Sequence, residues 1–273
     1  MRAAAEIIDD TRHLGDRSEG GPAEAGALDV DAYDWAAATR TPVRDDELFE
    51  LTFAAQVEWA TEGTYLSLAV TKDVETRRFL DVWLTQERMH AVLLRKFLSE
   101  HGVYVEPRHR TPRQRLAARR GRWVNGFAVR VLGRRFTAVH MSWGAINELT
   151  TLRLYSLIRE HTGNELLRDL LADVIRQESA HYAYYRSAAT RELERSRVSR
   201  VVTRWLLGHA WDVVGSGLQP PAEITRLMRA ACAMQPDLVA QLDATIERLP
   251  GLEGLALVRR ALAKRVEAEA EAA

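Results

Sequence analysis

Cysteine is nearly absent from this chain: Cys232 is the only one in 273 residues. A single thiol excludes an internal disulfide framework and any zinc or iron–sulfur site built on several thiolates, and it fits a reducing compartment. Lysine is almost as scarce, with three residues among the 38 basic ones. No run of about 18 apolar residues occurs, so no membrane-spanning helix is expected. The opening MRAAAEIIDDTRH lacks the apolar stretch of a secretory signal. The expectation is a cytoplasmic protein without a membrane anchor. Nothing reads as a strand followed by a hairpin turn. Finally, acidic residues are missing between Glu106 and Glu148, a stretch that holds ten Arg in a chain of zero formal net charge.

What is present is helical periodicity. An apolar content of 47% over this length suffices for one large domain. Residues 1–40, with GDRSEGGPAEAG among them, have the composition of a flexible arm. From Pro42 onward, apolar residues recur every three or four positions. Helices are expected over 45–69, 74–101, 136–161, 165–194, 198–215, 222–247 and 253–270. That makes an all-α domain over 41–273, with a four-helix bundle over 45–195 and a C-terminal helical extension over 196–273. The basic segment 107–135, broken by Pro107, Pro112, Gly121 and Gly133, is a long crossover between the second and third helices.

Two Glu-x-x-His sequences lie inside strongly helical segments, ERMH at 87–90 and ESAH at 178–181. Residues three apart share a helix face, so each motif offers a carboxylate and an imidazole to one point. With eight His in 273 residues, roughly one Glu in thirty has a His three positions on by chance. Glu106-Pro-Arg-His109 is such an accident, in a proline-bearing loop. The other two belong to a larger repeat. Glu58 precedes Glu87 by 29 residues and Glu148 precedes Glu178 by 30. Turn and N-cap residues, Thr71-Lys72-Asp73 and Thr162-Gly163-Asn164, stand at the two midpoints. If each pair of helices folds back at its midpoint, both carboxylates stand about fourteen residues, roughly 21 Å, from the turn and meet at one level. Glu58 and Glu148 are also each followed by Thr at +3 (Thr61, Thr151) and Tyr at +7 (Tyr65, Tyr155) on the same face. A phenol there is placed to bond a ligating carboxylate. Glu62 competes with Glu58, but its counterpart in the repeat is Leu152.

Four carboxylates and two imidazoles thus converge: Glu58, Glu87, His90, Glu148, Glu178 and His181. Buried together without cations, the carboxylates would repel one another and lose their hydration, so two divalent metals are expected to compensate them. Mixed oxygen and imidazole donors suit iron, or manganese in its place. One Glu from each of two helices plus Glu-x-x-His from each of two others resembles the ferritin-like di-iron carboxylate proteins.

Within that group the chain resembles the soluble acyl-carrier-protein desaturases, over roughly residues 45–260. The motif Trp83-Leu-Thr-Gln-Glu87-Arg-Met-His90 is similar to their second-helix signature, Thr151 matches a Thr beside their dioxygen site, and IERLPGLEGL at 246–255 looks like their C-terminal stretch. The resemblance implies two irons, dioxygen as co-substrate, Thr151 as a catalytic residue, and Trp83 beside the metals. It further implies a carrier-bound fatty acyl substrate, a ferredoxin or other reductase as electron donor, and a homodimer. Gln86 and Gln177 replace the acid that many desaturases carry before each motif, and a neutral amide orients an imidazole less strongly than a carboxylate. The Arg-rich stretch, with Arg113, Arg115, Arg119, Arg120 and Arg122, is suited to dock an acidic acyl carrier protein. Nucleic acid is the weaker use of that stretch, since zero net charge gives no second reason for it. The alternatives are a di-iron monooxygenase, either C-hydroxylase or N-oxygenase, and a ferritin- or rubrerythrin-like iron-oxidising protein. The single cysteine argues against a rubrerythrin, and the helices after the bundle argue against a storage ferritin.

Overall fold

The computed structural model describes residues 26–68, 71, 73–106 and 134–272. Among them the chain is helical and forms no strand, with one isolated bridge between Ser216 and Gln219. No described helix is long and apolar enough to cross a membrane. Arg113, Arg115, Arg119, Arg120 and Arg122 lie outside the described residues.

Helices α1 (Asp45–Trp59), α2 (Thr61–Leu68) and α3 (Val74–Glu100) make one hairpin. Helices α4 (Arg134–His161) and α5 (Glu165–Glu194) make a second. Both turns end on the N-caps expected for them. Asp73 accepts the backbone N–H of Thr76 at 3.3 Å, and Asn164 accepts that of Leu167 at 3.0 Å, each satisfying a donor the first helical turn leaves open. Asn164 also donates to the Ala38 and Thr41 carbonyls, tying the second turn to the chain that precedes α1.

The first helix differs from expectation, because the continuous 45–69 helix breaks at Ala60. There the Thr61 hydroxyl takes the Glu58 carbonyl at 2.5 Å and the Ala60 N–H turns back to Val57 at 2.9 Å. Such bonds tighten and redirect a helix end. In the extension, the expected 198–215 helix stops at Ala210, giving α6 (Arg197–Ala210). The expected 222–247 helix divides into α7 (Pro221–Met234) and α8 (Leu238–Ile246), before α9 (Leu257–Ala272). Asp243 in α8 accepts the Val258 and Arg259 N–H groups at the start of α9. Buried Arg153 of α4 donates to Gln235 at the end of α7. The extension is thereby fastened to the bundle.

Residues 26–40, expected as part of a flexible arm, are packed. Val30–Ala32 and Trp35–Ala37 form short 3-10 turns. Leu28, Val30, Tyr33 and Trp35 lie against a core of Leu93, Phe97, Leu166 and Leu170. The Tyr33 hydroxyl donates to Asp173, and Trp35 Nε1 donates to the Val30 carbonyl. Four aromatic or aliphatic anchors here outweigh the Gly- and Asp-rich composition around them.

Candidate metal centre

Glu58 is the penultimate residue of α1; Glu87 and His90 lie midway along α3, Glu148 midway along α4, and Glu178 and His181 midway along α5. All six are between 0% and 6% exposed. Exposed acids are common on helices, but four buried carboxylates in one place demand a partner. Their donor atoms form two sets. Glu58, Glu87, His90 and Glu178 each bring one donor within 4.8 Å of the others, and Glu87, Glu148, Glu178 and His181 do the same. Glu87 and Glu178 belong to both sets, so the constellation is a pair of adjoining sites with two shared carboxylates.

The amides fix which imidazole nitrogens face inward. His90 Nε2 lies 2.8 Å from Gln177 Oε1, and His181 Nε2 lies 2.8 Å from Gln86 Oε1. Each glutamine precedes its own helix's Glu-x-x-His yet orients the histidine of the opposite helix. With the amide oxygens accepting, Nε2 carries the proton and Nδ1 presents a lone pair to the centre. His90 Nδ1 stands 3.0 Å from Glu178 Oε1, and His181 Nδ1 stands 3.2 Å from Glu87 Oε1. Acceptor faces acceptor, and the geometry is satisfied only by a proton or a cation between them. Consistently, His90 Nδ1, His181 Nδ1, Glu87 Oε1 and both Glu178 oxygens are buried without hydrogen-bond partners. A divalent cation in each set completes all of them at once.

Electrostatics follow the same logic. Burial, then the neighbouring carboxylates, raise Glu87 and Glu148 well above the ordinary carboxylate range. Burial also raises Glu58. Glu178 runs the other way: burial pushes it up, but the His181 and His90 imidazoles facing it outweigh that and hold it low.

The flanking residues are placed as follows. The Tyr155 hydroxyl donates to Glu58 Oε1 at 2.5 Å, so this phenol of the second hairpin serves the carboxylate of the first. Trp83 Nε1 donates to Glu148 Oε1 at 3.0 Å. Gln177 Nε2 donates to the Gly26 carbonyl, which ties the packed N-terminal stretch to the amide that holds His90. Tyr65 does not reach the centre. The break at Ala60 turns it away, and its hydroxyl donates to Asp81 Oδ1 at 2.6 Å. Thr151 is half-buried and makes no hydrogen bond to the six residues; it lines a chamber beside Glu58.

That chamber is a cavity of about 70 Å³ between the α1 and α4 faces and the C-terminal extension. Glu58, Thr151 and Tyr155 form its inner end, and Trp211, Leu227, Leu242 and Val258 its roof. The volume is several times what one water occupies, and the walls are almost wholly apolar. Sequence reasoning missed these residues, because the roof comes from four separate segments brought together only by folding. The chain matches no family model, no curated protein and no solved structure.

Proposed function

We propose that this chain is a ferritin-like di-iron oxidase acting on an apolar chain, working in the manner of an acyl-carrier-protein desaturase. The carrying observation is the pair of donor sets sharing Glu87 and Glu178, with an apolar chamber that reaches Glu58. Glu58 and His90 would hold one metal, Glu148 and His181 the other, with Glu87 and Glu178 common to both. When bound, two irons supply the capacity to reduce dioxygen and to remove hydrogen from an unactivated carbon. The residues around them perform the rest. Gln177 and Gln86 keep the two Nδ1 lone pairs aimed inward, and Tyr155 and Trp83 hold one oxygen each of Glu58 and Glu148, so that the carboxylates do not swing. The chamber excludes water from a hydrocarbon segment lying against Glu58 and Thr151. Iron storage has no use for such a chamber, which favours the oxidase over a ferritin-like role.

Metal analysis of protein from iron-supplemented cells should find close to two irons per chain, and fewer in Glu148→Ala. A value near zero in both proteins refutes the centre. With reductase and dioxygen, mass spectrometry of carrier-bound acyl chains should show the loss of two hydrogens. Gain of one oxygen instead would reassign the protein as a monooxygenase, and no change on any acyl chain would refute the substrate class.

A further inference from the structure

A second concavity, a groove of about 360 Å³, lies on the surface between α1 and α7, lined by Phe49, Thr52, Phe53, Gln56, Glu223 and Arg226, with Ala222 at its edge. Phe53 is the one residue that lines both this groove and the inner chamber. Its ring is 3% exposed and is the partition between them. It leans on the loop after α6, where Gly215 has φ +91° and a Cβ at that position would stand 2.6 Å from Phe53 Cζ. Glycine is required there on both counts, the positive φ and the space the ring occupies. A second left-handed glycine, Gly217 at φ +80°, follows within the same turn.

Polarity changes across the partition. Outside stand Thr52, Gln56, Glu223 and Arg226, whose guanidinium covers the Phe49 ring at 3.9 Å and pairs with Asp46 at 3.1 Å. Inside, the walls are Val57, Leu154, Leu157, Val213 and Leu227. The groove wall runs from Phe49 to Gln56, nine to two residues before Glu58, so from its outer end to the candidate metal centre is about 13 Å along the α1 axis. A compact apolar molecule does not span that distance. An extended one does.

We propose that the groove between α1 and α7 is the way into the chamber, that Phe53 is its gate, and that the occupant is a single unbranched hydrocarbon chain whose polar end stays in the groove. The inference rests on the chamber being the substrate site of the proposed oxidase, but not on any metal being bound. Gating by one ring changes rates of binding and release together and leaves the affinity nearly constant, because the ring blocks passage rather than contributing to the bound state.

The test is stopped-flow binding of cis-parinaric acid, a fluorescent straight-chain fatty acid, to metal-free full-length protein. Occupancy of the chamber is read as the part of the energy transfer that Trp211→Phe removes, the other six Trp of the chain supplying the remainder. Phe53→Ala should accelerate association and dissociation by about tenfold each with Kd within about threefold, and Phe53→Trp should slow both. Thr52→Trp, on the half-buried groove wall, should slow both while leaving the chamber intact; it keeps the test open if the Phe53 variants fold poorly. Val201→Ala, exposed on α6 and lining neither space, should leave both rates unchanged. Rates within twofold of wild type in Thr52→Trp or in folded Phe53 variants, or no parinarate binding, would each overturn the proposal. Iron content is measured in parallel. Gated binding without iron uptake refutes the oxidase and spares the gate, whereas iron uptake with ungated binding does the reverse.

Discussion

In the second hairpin, α4 continues for thirteen residues beyond Glu148; in the first, α1 ends one residue beyond Glu58. Both hairpins carry Glu, Thr and Tyr at the same offsets, both turn on an N-cap, and both send a Glu-x-x-His into the centre. The difference begins with one hydroxyl. Thr61 takes the Glu58 carbonyl, while Thr151, in an unbroken helix, lines the chamber. Consequently Tyr155 lies under the centre and Tyr65 lies against Asp81. Ligands within a turn or two of a rigid helix centre keep a repeat's symmetry, and residues beyond a break lose it. The break also ends α1 beside the chamber, whose wall α4 shares through Thr151, Leu154 and Leu157.

The largest test of this comparison is made at the shared carboxylates. Glu87 comes from the broken hairpin and Glu178 from the continuous one, yet each serves both donor sets. Glu87→Ala and Glu178→Ala should each reduce bound iron from about two per chain toward zero, since removing a bridging ligand weakens both sites at once. Glu58→Ala should retain more metal than either, because Glu58 serves one set only. Plasma emission spectrometry on the purified variants reads this directly. Equal loss in all three would show that the sites are filled as one unit, with no distinction between shared and single ligands.

A second contrast concerns the residues eight positions before the first ligand of each hairpin, Glu50 and His140. Both are buried, and burial neutralises them in opposite directions: Glu50 is raised to about 7, by burial and then by Asp46 and Glu47, and His140 is lowered to about 4 by burial alone. His140 Nε2 has no partner. The folded value of Glu50 exceeds its unfolded value of 4.5, so its contribution to stability is full below pH 4.5, declines across 4.5 to 7, and is gone above. That of His140 is below its unfolded value of 6.5, so its contribution is full above pH 6.5 and declines as pH falls toward 4. The two slopes oppose each other in the shared window, and wild-type stability is flattened there. Urea titrations should show His140→Gln removing an acid-side loss of about 3 kcal/mol. Glu50→Gln should remove a loss of about 2 kcal/mol on raising the pH, less than its shift alone suggests because water around the exposed Asp46 and Arg226 beside it screens the charge. If either substitution leaves the slope of stability against pH unchanged, that residue is not held neutral.

The convergence of the six candidate ligands and the two N-caps were legible because each depends on local rules: helical spacing, chain reversal at a capping residue, and the need to compensate buried charge. Gln86 and Gln177 were visible as neighbours of the motifs, but their exchange of histidines follows from two antiparallel helices facing each other, which no local window contains. The chamber was not legible. Trp211, Leu227, Leu242 and Val258 follow ordinary helical or loop patterns, and the core they share with the bundle, together with the Arg153 bond to Gln235, brings them over Glu58. Tyr65 was misplaced because a helix end set by one Thr hydroxyl looks the same in sequence as a helix that continues.

The smallest predicted effect separates the two tyrosines that the repeat makes equivalent. Removing the Tyr155 hydroxyl leaves Glu58 Oε1 buried without its donor, which costs about 1–3 kcal/mol and should weaken metal binding by about 10–100-fold. Tyr65→Phe removes a bond to Asp81 at a solvated position and should change stability by less than about 0.5 kcal/mol, with no effect on metal content. Competitive titration against a chelator of known affinity, with thermal melts of the metal-free forms, measures both quantities. Matching losses in the two variants would mean that the first helix straightens when metal binds and returns Tyr65 to the centre. Loss in Tyr155→Phe alone leaves the break at Ala60 as a permanent difference between the two hairpins.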